Sequence, residues 1–169
     1  MNFPREGWNA NLNVYNSSTS LGADLNYGKW RASGSAAYSI GESTARFNLV
    51  AGGKLGGNPL PGYDQFQWGG FLQQSGYATG QLVGASMQYG ELVYFHRIFR
   101  GSIFDGAYGG ASLEFGKYGN PLIPGNTNGV LKSLALFVGA DSLLGPVYFG
   151  YGHAADGTDS FYFYLGRPY

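Results

Sequence analysis

Cysteine is absent from this sequence, and charge is scarce. Without a thiol there is no disulfide framework, no thiolate nucleophile and none of the usual zinc sites. The absence also suits an oxidising compartment, where a stray thiol is a liability. Charged residues make up 12% of the chain, against about a quarter in ordinary soluble domains. Ten basic side chains balance ten acidic ones, so the chain has no basic excess for nucleic acid and no such partner is expected. No run of 18 apolar residues exists, which leaves no transmembrane helix. The start, "MNFPREGWN", lacks a basic stretch followed by an apolar core, so no signal peptide is read there. An exported chain of this kind is expected to be a mature form, a fragment or an engineered piece, with Met1 an added initiator.

What the chain has in excess is glycine, at 30 residues, and aromatics, at 17%. Its 169 residues allow one domain, 1–169, with a core of ordinary size. The aromatic content argues against disorder. The clearest pattern is "WNANLNV", where Trp8, Ala10, Leu12 and Val14 alternate with Asn9, Asn11 and Asn13. A period of two fits a strand and no helical template. Asparagine is a poor strand former, and three on one face suit a wet interior opposite an apolar exterior, the pattern of a transmembrane barrel.

Further segments repeat this pattern. Trp30, Ala32, Gly34, Ala36, Tyr38 and Ile40 oppose Arg31, Ser33, Ser35 and Ser39. Leu21, Ala23, Leu25 and Tyr27 keep the other parity, so a bulge is expected near Gly28 and Lys29. Ala45, Phe47, Leu49 and Ala51 oppose Arg46 and Asn48; Ala107, Ala111, Leu113 and Phe115 oppose Tyr108, Ser112 and Glu114. Val147, Phe149 and Tyr151 oppose Tyr148, Gly150 and Gly152. Segments near 84–98 and 131–143 are apolar on both faces and give no clear phase. The ending "SFYFYLGRPY" sets Phe161, Phe163, Leu165 and Tyr169 against Tyr162, Tyr164 and Gly166.

The expected fold is therefore all-β: eight antiparallel transmembrane strands, forming either a closed small barrel or, as a homodimer, a sixteen-stranded one. Short connections at Gly41–Thr44, Phe99–Phe104 and Leu143–Pro146 and long ones at 56–83 and 117–129 fit periplasmic turns and outer loops. A soluble β-sandwich would alternate as well, but its polar faces would carry lysine and glutamate. Aromatics at expected strand ends, namely Trp8, Trp30, Tyr38, Trp68, Tyr94, Tyr118, Tyr151 and Tyr169, fit interfacial girdles. Outer-membrane lipid is the surrounding partner, and the bacterial outer membrane the location.

Several motifs resemble those of the bacterial surface antigen family. "FYFYLGRPY" resembles its closing strand, "NFPREGW" the turn that opens the ninth of its sixteen strands, and "LLGPVYFGYGH" the stretch before the last strand. "GGFLQQSGYATGQLVG" resembles the long loop that folds back into the lumen, with spacing most like the patatin-like autotransporter branch. The match covers nearly the whole chain as the C-terminal eight strands. The resemblance implies a membrane-anchor or translocation-type pore, an upstream patatin domain in the full-length protein, and recognition by the barrel insertion machinery. It makes Phe161, Phe163, Leu165 and Tyr169 the insertion signal.

The family pattern has an arginine at the tip of that loop, held by an aspartate on a strand. Here the tip reads Gln74, Ser75, Gly76 and Tyr77, facing Ser112, Glu114 and Gly116. No bidentate ion pair is available, and Glu114 is expected to accept hydrogen bonds from Ser75 or Tyr77. Arg31 and Arg46 share the inward phase and complete the expected set of lumen and loop contacts. Those charges either select solutes or form a structural network inside a plugged barrel.

A different class of function is a lipid-modifying hydrolase barrel, which needs a histidine beside a nucleophile and oriented by a third group. Only His96 and His153 are available, the latter near Asp156 and Asp159, and no G-x-S-x-G elbow occurs. A simple porin or adhesin barrel is a third reading. "GKLGGNPLPG" lacks the "GK[ST]" ending of a phosphate loop. No metal-ligand spacing is present, and no cofactor is expected.

Overall fold

The computed structural model describes residues 5–99, 106–121, 129–142 and 145–165. They form one antiparallel sheet. Its strands are β1 (Gly7–Ser17), β2 (Tyr27–Ile40), β3 (Ser43–Leu55), β4 (Phe66–Trp68), β5 (Leu82–Phe99), β6 (Gly106–Pro121), β7 (Leu131–Ser142), β8 (Gly145–Ala154) and β9 (Asp159–Leu165). Eight of them follow one path, β1-β2-β3-β5-β6-β7-β8-β9, each beside its neighbour in sequence. The ninth, β4, is a three-residue strand inside the long 56–81 connection and pairs only with β5. The sheet is not closed: among the described residues β1 and β9 are edges of the path.

The two faces differ as the alternation requires. Leu12, Leu49, Leu92, Leu113, Leu136 and Phe163 all lie on the bare face and are exposed. A soluble monomer rarely shows so continuous an apolar surface, whereas a barrel wall surrounded by lipid needs one. On the opposite face Tyr89, Glu91, Val93, Ser112, Glu114, Ser133 and Ala135 are buried. The phase of β5 and β7, unreadable from the sequence, is thereby settled. Val93, Phe95 and Phe137 are apolar on the inner face because the 56–81 loop covers them with Phe71 and Leu72, so water never reaches that part.

Coverage is uneven along the sheet. At β1, Asn9, Asn11 and Asn13 are exposed, as are Trp8, Leu12 and Val14 on the other face. The asparagine stripe faces open space, while the equivalent face of β6 is shut from solvent.

Two local expectations fail. No bulge occurs near Gly28 and Lys29: β1 pairs with β2 in unbroken register from Gly7↔Ala37 to Ser17↔Tyr27. Leu21 to Leu25 are not strand, because Thr19–Leu21 forms a 3-10 turn that Gly22 ends in the left-handed region at φ 88°. Asn26 fixes that turn by accepting from the Thr19 amide at 2.7 Å. The register shift lies instead between Arg97 and Phe99. Trp68 also fails as an interfacial aromatic: it is buried in β4 and meets Tyr118 edge-on at 5.3 Å. The expected turns at Phe99–Phe104 and Leu143–Pro146 lie largely outside the described residues, as does Tyr169.

Candidate functional site

The 56–81 loop is strapped across the inner face from β2 to β9. Its start is held by an ion pair between Lys29 on β2 and Asp64. The next contact depends on a missing side chain. Phe66 lies over Gly52 of β3, and a Cβ there would sit 2.6 Å from the Phe66 ring. β4 then adds three residue pairs, Phe66↔Gly84 to Trp68↔Leu82, to β5.

Beyond β4 the chain turns inward through Gly69 and Gly70, at φ 111° and 114°, values that favour glycine. Phe71 follows, fully buried among Phe137, Tyr148, Tyr162 and Tyr164 at centroid distances of 5.5 to 6.4 Å. It rests on Gly150, where a Cβ would lie 2.6 Å from the ring. Leu72 and Gln74 adopt left-handed conformations, φ 57° and 69°. Such strain persists only where surrounding contacts determine the backbone. Here they do: Tyr89 donates to the Leu72 carbonyl at 2.7 Å, and Ser133 donates to the Gln74 side chain at 2.7 Å.

At the tip, Glu114 receives the loop. The Ser75 hydroxyl donates to one carboxylate oxygen at 2.6 Å, Ser112 donates to the same oxygen at 2.6 Å, and the Ser75 amide donates to the other. A buried carboxylate is costly unless its lone pairs are used, and three donors meet that need without a cation. Directly opposite on β5 stands Glu91, also buried. Arg46 offsets this second carboxylate at 2.7 Å. Tyr77 does not reach Glu114; its hydroxyl donates to Asp156, in the turn after β8, at 2.7 Å. Tyr162 of β9 donates to the carbonyls of Ser75 and Tyr77 at 2.9 and 2.6 Å.

The tip also touches the wall backbone to backbone. A Cβ on Gly152 would lie 1.9 Å from the Ser75 carbonyl oxygen, and one on Gly76 would lie 2.3 Å from the Ala154 nitrogen. No side chain fits at either position.

Of the residues singled out from the sequence, the structure gathers Ser75, Gly76, Tyr77 and Glu114 within this one site. Arg46 belongs to the neighbouring Glu91 pair. Arg31 is exposed, beside Gln65 and Phe66 near the start of the loop. Phe161, Phe163 and Leu165 are exposed on the bare face of β9. The residues of the site that sequence reasoning missed are Phe71, Gly150, Gly152, Asp156 and Tyr162. Their traces were the small residues at inward positions of β8, Gly150, Gly152 and Ala154, which leave room for a close neighbour.

The histidines are divided. His153 lies 2.6 Å from Asp159, and Tyr151 donates to the same carboxylate at 2.7 Å. His96 lies 3.0 Å from the Ser43 hydroxyl at the short-turn end. Among the described residues, the hydrogen bonds of neither histidine join a nucleophile, base and orienting acid. Among the described residues no group of three metal-ligating side chains occurs. The site's chemistry is that of holding a loop.

The family model of the Omp85 superfamily domain matches residues 1–167. No curated protein and no solved structure matches the chain. The chain belongs to the Omp85 superfamily, and it is a bacterial outer-membrane protein. The superfamily places it among outer-membrane β-barrels of translocation or membrane insertion, which are transport barrels rather than enzymes.

Proposed function

We propose that this chain is the plugged half of a translocation-type outer-membrane pore, with loop 56–81 as the plug. The observation that carries the reading is the strap itself. It is anchored at β2, paired with β5 and clasped by Glu114, so it occupies the face that would line a lumen. The open sheet is completed by a second copy, β1 of one pairing with β9 of the other into sixteen strands. The exposed Asn9, Asn11 and Asn13 support this, because they then face a shared aqueous interior. Each edge of the sheet would also find a partner.

Closing strand β9 presents Phe161, Phe163 and Leu165 outward, which fits recognition by barrel insertion machinery. The finer assignment to a patatin-like autotransporter, with a lipolytic domain upstream, is supported by loop spacing alone. The test of the plug is single-channel recording in planar bilayers. The wild-type chain is expected to show rare, small openings, and the Glu114→Ala chain frequent larger ones. Identical conductance in both would refute the plug.

A further inference from the structure

We infer that the bare face carries a binding site for a lipid with an anionic phosphate headgroup. The acyl chain lies in a furrow over β2 to β6, and Lys117 and Lys132 hold the headgroup. The inference rests on the outer-membrane placement of the sheet and is independent of the plug.

The furrow has a volume of about 540 Å³. Its floor is low because the bare-face positions there are small: Ala32, Gly34, Ala51 and Gly90. Leu49 and Phe115 stand on either side, and Lys117 lies at its rim at the long-loop end. Most barrel surface is an even apolar wall. A depression floored by glycine and alanine on three neighbouring strands, β2, β3 and β5, instead fits a chain lying in it.

The headgroup end is cationic without local compensation. Lys117 and Lys132 are both exposed on the bare face, alternating with buried Gly116 and Ser133. Phe115 is directly opposite Lys132 in the β6–β7 register, so Lys117, two residues on, stands diagonally across from it. Neither lysine is in an ion pair among the described residues. The whole stretch from 118 to 131 contains no Asp or Glu. Two acidic groups stand near the Lys132 end: Asp156, next to the Ala155 whose amide donates to the Lys132 carbonyl, accepts from Tyr77 and Thr158, and Asp159 at the start of β9 is engaged by His153 and Tyr151. Two uncompensated cations at the head of an apolar furrow match an anionic amphiphile in both charge and shape. Each cation near an anionic lipid surface contributes enough for several-fold in affinity.

The test is native mass spectrometry of the refolded chain, released from detergent after incubation with phosphatidylglycerol, lipid A or phosphatidylcholine. Folding of each variant is confirmed by heat-dependent gel mobility. Adducts with the two anionic lipids are expected to survive release and phosphatidylcholine adducts to be lost. The Lys117→Gln/Lys132→Gln double variant should lower anionic adducts about tenfold or more. Gly34→Leu fills the furrow where an added Cβ meets only the Asn9 carbonyl oxygen, at 3.8 Å. It should lower the same adducts with both lysines intact. Preference for lipid A would identify an outer-leaflet glycolipid; preference for phosphatidylglycerol, a glycerophospholipid; equal retention of these two, recognition of net negative headgroup charge alone. Phosphatidylcholine retained as strongly as the anionic lipids would overturn the inference. So would undiminished adducts in either folded variant.

Discussion

Replacing Glu114 with alanine tests the loop clasp at its strongest point. The carboxylate accepts from the Ser75 amide, the Ser75 hydroxyl and the Ser112 hydroxyl. Removing it leaves the Ser75 amide buried with no acceptor, since a backbone group cannot rotate away. The hydroxyls can turn towards other acceptors and lose less. A stranded buried donor costs about 1–3 kcal/mol, and a hydrogen bond to a charged group contributes about 1.5–3 kcal/mol. Together these give about 2.5–6 kcal/mol for local release of the tip, and each 1.4 kcal/mol is about a tenfold change in the opening equilibrium. Hydrogen exchange of loop amides should therefore quicken about a hundredfold or more in Glu114→Ala. Amides of β2 and β3 should be unchanged. Glu114→Gln keeps one acceptor oxygen and should lie between wild type and Glu114→Ala. Unchanged exchange at Ser75 in a folded Glu114→Ala protein would refute the clasp.

Other substitutions probe the rest of the strap. Gly152→Ala should expel the tip, since its Cβ would lie 1.9 Å from the Ser75 carbonyl oxygen; Gly34→Ala, with only a 3.8 Å neighbour, should leave loop proteolysis unchanged. Phe71→Ala removes the ring from its aromatic cage and should cost about 3–5 kcal/mol, read as a lower denaturant midpoint for loop protection. A double-mutant cycle of Arg46→Ala and Glu91→Ala should give a coupling of about 1 kcal/mol or more, with Glu91 left charged and buried the worse single loss; independent effects would sink the pair. Acid should also loosen the tip. Burial pushes the Asp156 carboxyl up, but the Tyr77 hydroxyl and the Thr158 donors outweigh it and hold the group below its usual value. A depressed carboxyl contributes stability above its unfolded value and loses it as pH falls through the folded one. Proteolytic nicking near Tyr77 should thus stay flat at neutral pH and rise only below the usual carboxylate range.

The strands were legible because lipid and a polar interior impose opposite demands on alternate residues. "WNANLNV" and "FYFYL" display this period directly. The phase of β5 was hidden by Val93 and Phe95, which are inward yet apolar because a distant loop segment covers them. No local pattern encodes that cover. The 3-10 turn at Thr19–Leu21 was misread because Leu21, Ala23 and Leu25 keep a two-residue spacing by chance. What bends the chain there is the Asn26 side chain and the left-handed Gly22. The site was half legible: Ser75 and Glu114 stood out through family spacing, whereas Gly150 and Gly152 register only as absent side chains whose use depends on what approaches them.

The sheet is open, with its own loop across the inner face, and its proposed completion is a second copy. The most direct test is the native mass of the refolded protein, stripped of detergent in the spectrometer. A discrete dimer at twice the 18.1 kDa chain mass is expected. A compact monomer that also resists unfolding in cold dodecyl sulfate would contradict it, because β1 and β9 would then have closed on each other.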